Sequence, residues 1–364
     1  MEHTFSKDIT PARAWLKLTN RPIVIAGPCS AESKKQVLET AEALSKTTAV
    51  SIFRAGLWKP RSSPSSFQGL GEKALPWLNE AKKKTGLLTA VEVASPKHIE
   101  LCLKNNIDVL WIGARTTVSP FSVEEITHAL KGVDIPILIK NPVNPDINLW
   151  LGAIERFLKV GIHKLMAIHR GFNTYEKTFF RNHPLWEIPI ELKRLMPELP
   201  IICDPSHIAG NVNYIEDIAQ KALNLDFAGL MIETHPDPQN ALSDASQQLS
   251  FNDFNRLLQN LKYPTALGNH HFEKKLESLR HEIDDIDIAL LNLLYKRMKV
   301  VEKIGNYKKK HNITVLQIKR WSNIFAERLR LGKKLNLDED FICDILKIVH
   351  KQSITTQHKI VSKK

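Results

Sequence analysis

The sequence predicts an α/β fold, a closed (β/α)8 TIM barrel over residues 1–261, then a linker at 262–269 and a small all-α domain at 270–364. Three observations carry this prediction. Eight short apolar runs alternate with eight amphipathic stretches through the first 260 residues. The strand signal then stops. Beyond the linker, apolar residues recur at alternating spacings of four and three for about forty residues.

The apolar runs lie at 22–26 (PIVIA), 50–54 (VSIFR), 87–92 (LLTAVE), 109–113 (VLWIG), 136–140 (PILIK), 164–169 (KLMAIH), 200–204 (PIICD) and 229–233 (GLMIE). Nearly every residue in them is apolar, as a strand buried on both faces requires. Helices are expected at 33–45, 71–84, 96–105, 122–130, 147–159, 185–195, 214–223 and 251–261. Ser33 followed by Gln36 reads as a capping box at the first of them. The repeat alone leaves an open doubly wound sheet as the competing arrangement. Pro264 and Gly268 interrupt the pattern and mark the linker. Phe272, Leu276, Leu279, Ile283, Ile286, Leu290 and Leu293 then form the seam of one helix over about 270–310, roughly 60 Å long, which another helix must cover. Two shorter helices are expected at 318–331 and 338–357, with Gly332 and Asn336 between them and Asp338 as a cap.

Composition narrows the class. Hydrophobic residues make up 43% and charged residues 25%, which excludes a disordered or fibrous chain. No apolar run approaches the ~20 residues of a membrane helix, the first residues hold no secretory signal, and four cysteines make no disulfide framework. A cytoplasmic protein with no membrane partner is expected. The net charge of +12 is uneven: residues 262–364 hold 22 Lys and Arg against 12 Asp and Glu, whereas the first 261 are nearly balanced. Such a basic tail fits nucleic acid, an acidic partner surface or small anions.

Barrel chemistry collects where strands end at the C-terminal face. Cys29 follows the first strand. Arg54 ends the second, with Lys59 and Arg61 beyond it in KPRSS. Glu92 ends the third; Gly113, Ala114 and Arg115 follow the fourth; Lys140 ends the fifth and Arg170 follows the sixth. Asp204 and His207 follow the seventh in DPSH, and Glu233, His235 and Asp244 follow the eighth. Cys29, His207, Glu233 and Asp244 form a thiol, imidazole and carboxylate set suited to a borderline divalent transition metal. Singly each is weak, and a lone cysteine after Gly-Pro is more often structural. Closure of the barrel would bring the ends of strands one, seven and eight together. Arg54, Lys59, Arg61, Arg115, Lys140 and Arg170 form a cationic set that calls for a multiply charged anion, phosphate or carboxylate.

FRAGLWKPRSSPSSFQGLG, IGART, DPSH and IETHPDP…ALSDA, spread over about 15–260, resemble the 3-deoxy-D-arabino-heptulosonate 7-phosphate (DAHP) synthases of the short type I beta subfamily. The KPRSS motif resembles these and not the octulosonate 8-phosphate synthases that share the barrel. The resemblance implies condensation of phosphoenolpyruvate with erythrose 4-phosphate, releasing phosphate, at the entry to the shikimate pathway. It implies a metal on Cys29, His207, Glu233 and Asp244, manganese foremost, with cobalt, iron(II) or zinc as the alternatives. Arg115, Lys140 and Arg170 would grip the phosphate of phosphoenolpyruvate, with Lys59 and Arg54 near its carboxylate. Arg61 and Ser62 would hold the erythrose phosphate, and Glu92 and Asp204 would lie near the reacting carbons and water. Asn173 and Thr116 depart from the pattern, at an Arg and an Asn of many relatives.

In the tail, Arg297 and Lys308 share one helix face about 16 Å apart, and Arg297 continues the apolar seam. Arg280 lies roughly 25 Å from Arg297 along the helix, so a small ligand touching both needs a second subunit. LESLRHEIDDIDIALLNLLYKRMKVVEKIGNYKKK, with LGKKLNLD and SITTQ, resembles the all-helical chorismate mutases over about 270–358. That resemblance implies an intertwined homodimer in which Arg280 of one subunit and Arg297 and Lys308 of the other bind chorismate. Gln357 and Lys308 would stabilise the ether oxygen, and Arg320 and Ser353 would complete the pocket. Gln317 and Trp321 stand where relatives commonly carry carboxylates. The leading expectation is a bifunctional enzyme with feedback of prephenate or chorismate on the synthase. The alternatives are a helical domain that is only a regulatory sensor, and a basic tail for nucleic acid. The scarcity of aromatics near its Lys and Arg argues against the latter.

Overall fold

A computed structural model describes residues 8–16, 22–47, 49–60, 63, 65–175, 178–264 and 270–362. Arg61 and Ser62 of the expected phosphate grip lie outside the described residues, as does 265–269 of the linker. The chain divides into two compact units, Met1–Ala266 and Leu267–Lys364.

The first unit is a closed barrel of eight parallel strands: β1 (Ile23–Gly27), β2 (Val50–Arg54), β3 (Leu88–Val93), β4 (Val109–Ile112), β5 (Ile137–Lys140), β6 (Leu165–His169), β7 (Ile201–Cys203) and β8 (Gly229–Glu233). β8 pairs with β7 and also with β1, where Gly27 stands opposite Glu233, and this decides against the open sheet. Around it run α1 (Lys34–Ser45), α2 (Leu75–Thr85), α3 (Pro96–Lys104), α4 (Ala114–Thr117), α5 (Pro120–Ala129) and α6 (Ile147–Lys159). α7 (Glu187–Leu195), α8 (Pro205–Ala209), α9 (Ile215–Asn224) and α10 (Phe251–Asn260) complete the unit.

Local chemistry explains where boundaries moved. The helix expected from 122 begins at Pro120, because the Ser119 side chain accepts from the Ser122 N–H. The stretch expected as one helix from 71 opens as a 3-10 turn, Gly71–Ala74. Ser33 Oγ accepts from the Gln36 N–H at 3.1 Å, but the returning arm of Gln36 takes the N–H of Glu32 instead of that of Ser33. The short α4 and α8, both directly after strands, are additions to the expected pattern.

The strands alternate strictly between two cores. Outward residues such as Val24, Phe53, Val91, Ile139 and Leu230 pack under the helices. Inward residues Ile25, Ile52, Ala90, Trp111, Leu138, Met166, Ile202 and Met231 fill the barrel. Two residues past several of these the same inward face carries Arg54, Glu92, Lys140, Asp204 and Glu233. The period of two thus stacks a charged layer directly on an apolar plug.

The second unit holds α11 (His270–Lys310), α12 (Ile318–Lys334) and α13 (Glu339–Val361). α13 packs along α11, so closely at Gly305 that a Cβ there would come within 3.0 Å of Ile360. Gly332, expected between helices, lies inside α12, where a Cβ would come within 3.0 Å of Ile342. Asn336, in the left-handed region at φ +56°, reverses the chain instead. Asp338 caps α13 through Phe341 N, at 2.8 Å. The helix then continues past Gln357 to Val361. Of the α11 seam, Leu279, Ile283, Ile286, Leu290 and Leu293 remain 44–62% exposed. Among the described residues, no helix is long and apolar enough to cross a membrane.

Candidate active sites

The ends of β1 and β8 bring Cys29, Glu233 and Asp244 together, with one ligand atom of each within 4.8 Å of the others. The fourth expected donor is adjacent: His207 Nε2 lies 3.9 Å from Glu233 Oε1. His207 Nδ1 sits 2.8 Å from Asp204 Oδ2, so the proton is on Nδ1 and the Nε2 lone pair faces the cluster, the usual arrangement of a ligating histidine. Burial lowers the pKa of His207 in spite of Asp204, which keeps the ring neutral near pH 7. Burial also works against the Glu233 carboxylate, but His207, in the protonated form it takes in acid, then Arg54 and Lys59 outweigh it and bring the group down to about 2. Burial, then the charge of Glu233, pushes the Cys29 thiol up to about 12. The sulfur therefore keeps its proton, 3.2 Å from Asp244 Oδ2, and Lys59 Nζ lies 3.0 Å away, placed to balance a thiolate. A divalent ion displaces such a proton on binding. A neutral imidazole with an inward lone pair, two ionised carboxylates and a thiol beside a lysine fit a borderline transition metal.

Two loops hold this cluster. Ser30, next to Cys29, shares a 2.5 Å hydrogen bond with Ser243, next to Asp244. Glu32 accepts from Leu242 N at 2.9 Å and pairs with His235 at 3.4 Å. Asp244 itself is left-handed at φ +46°. Its strained backbone is held by these neighbours and by Arg181, 3.2 Å from its Oδ1.

Over the cluster opens a cavity of about 460 Å3 lined by Lys59, Glu92, Gly113, Ala114, Arg115, Lys140, Arg170, Asn173, Arg181, His207 and Asp244. The expected cations separate into two groups. Arg54 does not line the cavity: fully buried, it donates to Glu233 Oε1 at 2.7 Å and to the Cys29 carbonyl at 3.1 Å. Lys140 is on the wall but is held by Asp204 Oδ2 at 2.8 Å. Asp204 is fully buried and is divided between Lys140 and His207, which makes it an orienting group for both. Arg170 donates to Asn182 at 2.7 Å. Burial, then Arg181 and Arg115 against the pull of Asp204, bring its pKa down to about 10. Crowded guanidinium groups in a polar hollow favour a multiply charged anion.

In the helical unit, Arg297 Nη1 donates to Ser353 Oγ at 2.7 Å, which joins α11 to α13. Gln357 Oε1 is buried with no hydrogen-bond partner among the described residues. Lys308 Nζ donates to the Val315 carbonyl at 2.6 Å, Arg320 is exposed, and Trp321 stacks on His350 at 3.7 Å. Arg280 is exposed, 3.5 Å from Glu277, and does not join the others within the chain.

Arg181, Asn182, Gln247 and Trp111 of the barrel site escape the strand-end rule. Arg181 arrives on a loop and Gln247 at the end of a 3-10 turn, Ala245–Gln247; Gln247 Nε2 donates to Glu233 Oε2 at 2.6 Å and its Oε1 accepts from Arg181 at 2.7 Å. Trp111 reads as core in an apolar strand. Its only signal is an indole N–H that a buried site must satisfy.

Fold and site define a barrel enzyme that handles phosphorylated or carboxylated small molecules, joined to an all-helical domain in which Arg297 meets the buried Ser353. The chain belongs to the DAHP synthetase I family, which it matches over residues 18–267, and residues 279–358 match chorismate mutase type II. It is an enzyme with a DAHP synthase domain and a chorismate mutase domain. It is 35% identical over 250 residues to the phospho-2-dehydro-3-deoxyheptonate aldolase of Thermotoga maritima, covering 67% of this chain and 70% of that one. To a 2-dehydro-3-deoxyphosphooctonate aldolase of Caulobacter vibrioides it is 28% identical over 286 residues, 71% of this chain and 93% of the relative. A crystal structure of the Thermotoga maritima DAHP synthase matches with a TM-score of 0.59 and 33% identity, over 65% of this chain and 67% of that one.

Proposed function

We propose that the barrel condenses phosphoenolpyruvate with erythrose 4-phosphate to DAHP and phosphate, that it needs a divalent metal for this, and that the helical domain rearranges chorismate to prephenate. The observation that carries the barrel reading is the meeting of Cys29, Glu233 and Asp244 beneath a cavity walled by Lys59, Arg115, Lys140 and Arg170. Cys29, His207, Glu233 and Asp244 hold the metal, which when bound polarises the aldehyde carbonyl as a Lewis acid. Arg115, Lys140 and Arg170 take the phosphate of phosphoenolpyruvate, and Lys59 its carboxylate. Arg54 acts from below by holding Glu233. The enol carbon attacks the aldehyde carbon, water adds at the carbon bearing phosphate, and phosphate leaves. Glu92, on the cavity wall, moves protons in that sequence; Asp204 fixes Lys140 and His207 in place. Charge neutralisation and positioning supply most of the acceleration.

In the helical domain Arg297, Lys308 and Arg320 bind the chorismate dianion, with Ser353 and the unpartnered Gln357 completing the pocket. Arg280 comes from a second subunit, since within one chain it stands apart. The exposed seam of α11 is the surface on which two copies pair. The rearrangement needs no nucleophile, because a cation beside the ether oxygen favours the charge-separated transition state.

Both reactions assayed with and without chelator test the proposal. DAHP formation should be lost on chelation and restored by manganese, while chorismate consumption persists. DAHP formation that survives exhaustive metal removal would overturn the metal's role.

A further inference from the structure

Among the described residues, Trp111 is the one aromatic side chain that a strand points into the barrel, where Leu138, Met166, Ile202 and Met231 fill equivalent positions. It is fully buried. Its indole N–H donates to Glu92 Oε2 at 3.0 Å, across directly paired residues of β3 and β4. The other oxygen of Glu92 is pressed against Gly113, where a Cβ would lie 2.0 Å from Oε1. Glu92 is therefore held at one oxygen by a donor and at the other by the lack of a side chain. The face of the same indole lies under Arg54, with the guanidinium carbon 4.8 Å from the ring centroid. Arg54 spends two nitrogens on Glu233 and the Cys29 carbonyl, and its Nε has no partner among the described residues. The ring face is a further support of that cation, beside the nearby carboxylates of Asp204 and Glu92.

We propose that Trp111 is a positioning residue for the barrel reaction, a rigid plate that holds Glu92 by its edge and Arg54, hence Glu233, by its face. The proton-handling side and the metal-holding side of the cavity are thereby kept in one register. An aliphatic residue there would hold neither, having no N–H for Glu92 and no ring face for Arg54. This rests on the assignment of DAHP synthesis to the barrel and of proton transfer to Glu92.

The test uses the full chain with manganese as the metal probe. Trp111→Phe keeps a ring under Arg54 and deletes the N–H. Its kcat for DAHP formation should fall roughly ten- to hundredfold, as loss of a hydrogen bond to a charged group does. KM for phosphoenolpyruvate and manganese binding by equilibrium dialysis should stay within about twofold. In a Glu92→Gln background the same substitution should cost nothing further. Trp111→Leu, which removes the plate, should also weaken manganese binding. Gly113→Ala attacks the Glu92 register from the other oxygen and should likewise lower kcat while manganese binding persists; it serves if Trp111→Phe does not fold. Chorismate consumption on the same chain is the internal control. A Trp111→Phe enzyme with unchanged kcat, or a loss that multiplies with that of Glu92→Gln, would overturn the inference alone. A wild-type chain that forms no DAHP overturns the barrel reading and this inference with it.

Discussion

His169 shows what a single buried side chain does to the whole chain's response to acid. It ends β6 facing outward, fully buried among the rings of Phe172, Trp186 and Phe227. Burial, and then the neighbouring Arg170, hold its pKa down to about 3 against the pull of Asp204, from a usual value of 6.5. Between those values the unfolded chain binds a proton that the folded chain refuses. Its contribution is therefore complete above pH 6.5 and is lost at about 1.4 kcal/mol per pH unit as the pH falls towards 3. Between pH 7 and 5, wild-type stability from urea unfolding should drop about 2 kcal/mol more than that of His169→Leu. Parallel curves for the two proteins would refute this. Among the site residues, Lys140, Glu92 and Glu233 were legible because each ends an apolar run. Arg181 and Trp111 were not, because a loop arginine and a strand tryptophan look like a surface and a core residue until the fold places them.

At the scale of elements, the loops after β1 and β8 act as one unit. The Ser30–Ser243 bond and the hydrogen bond from Leu242 N to Glu32 tie the residues after Cys29 to those before Asp244. Ser243→Ala should weaken manganese binding about tenfold, as loss of an outer-shell partner does, with the circular dichroism spectrum unchanged. Equilibrium dialysis measures it, and unchanged affinity would show the clasp to be irrelevant to the metal. The helix α11 makes the opposite point, since its seam is left uncovered in one chain. Ile286→Asp places a carboxylate in the proposed apolar interface, at a cost of several kcal/mol. It should yield monomers in sedimentation, abolish chorismate consumption and leave DAHP formation in place. A dimer that persists would move the interface elsewhere.

For the whole molecule, the fusion places the synthase and an enzyme that consumes a later product on one chain. We propose that prephenate or chorismate bound in the helical domain lowers the synthase rate, the two sites being coupled by ligand-dependent domain states. Prephenate titrated into the DAHP assay should reduce the rate of the wild type, and Arg297→Ala should abolish that response. An unchanged rate at saturating prephenate would defeat the proposal.

Periodicity carries much of this protein's design without help from coordinates. Eight buried runs, five of them ending in a charged residue, require a layered sheet with a polar rim, because the side-chain period of two puts every second residue on the same face. A four-three spacing requires a helix that seeks a partner. Three-dimensional folding alone decided that β8 closes on β1, and so that Cys29 and Glu233, 204 positions apart in sequence, share a cluster. It also decided which cations stay in the cavity and which are withdrawn beneath it. Neutralisation in a low-dielectric interior depends on distances of a few ångströms, and linear order does not encode them.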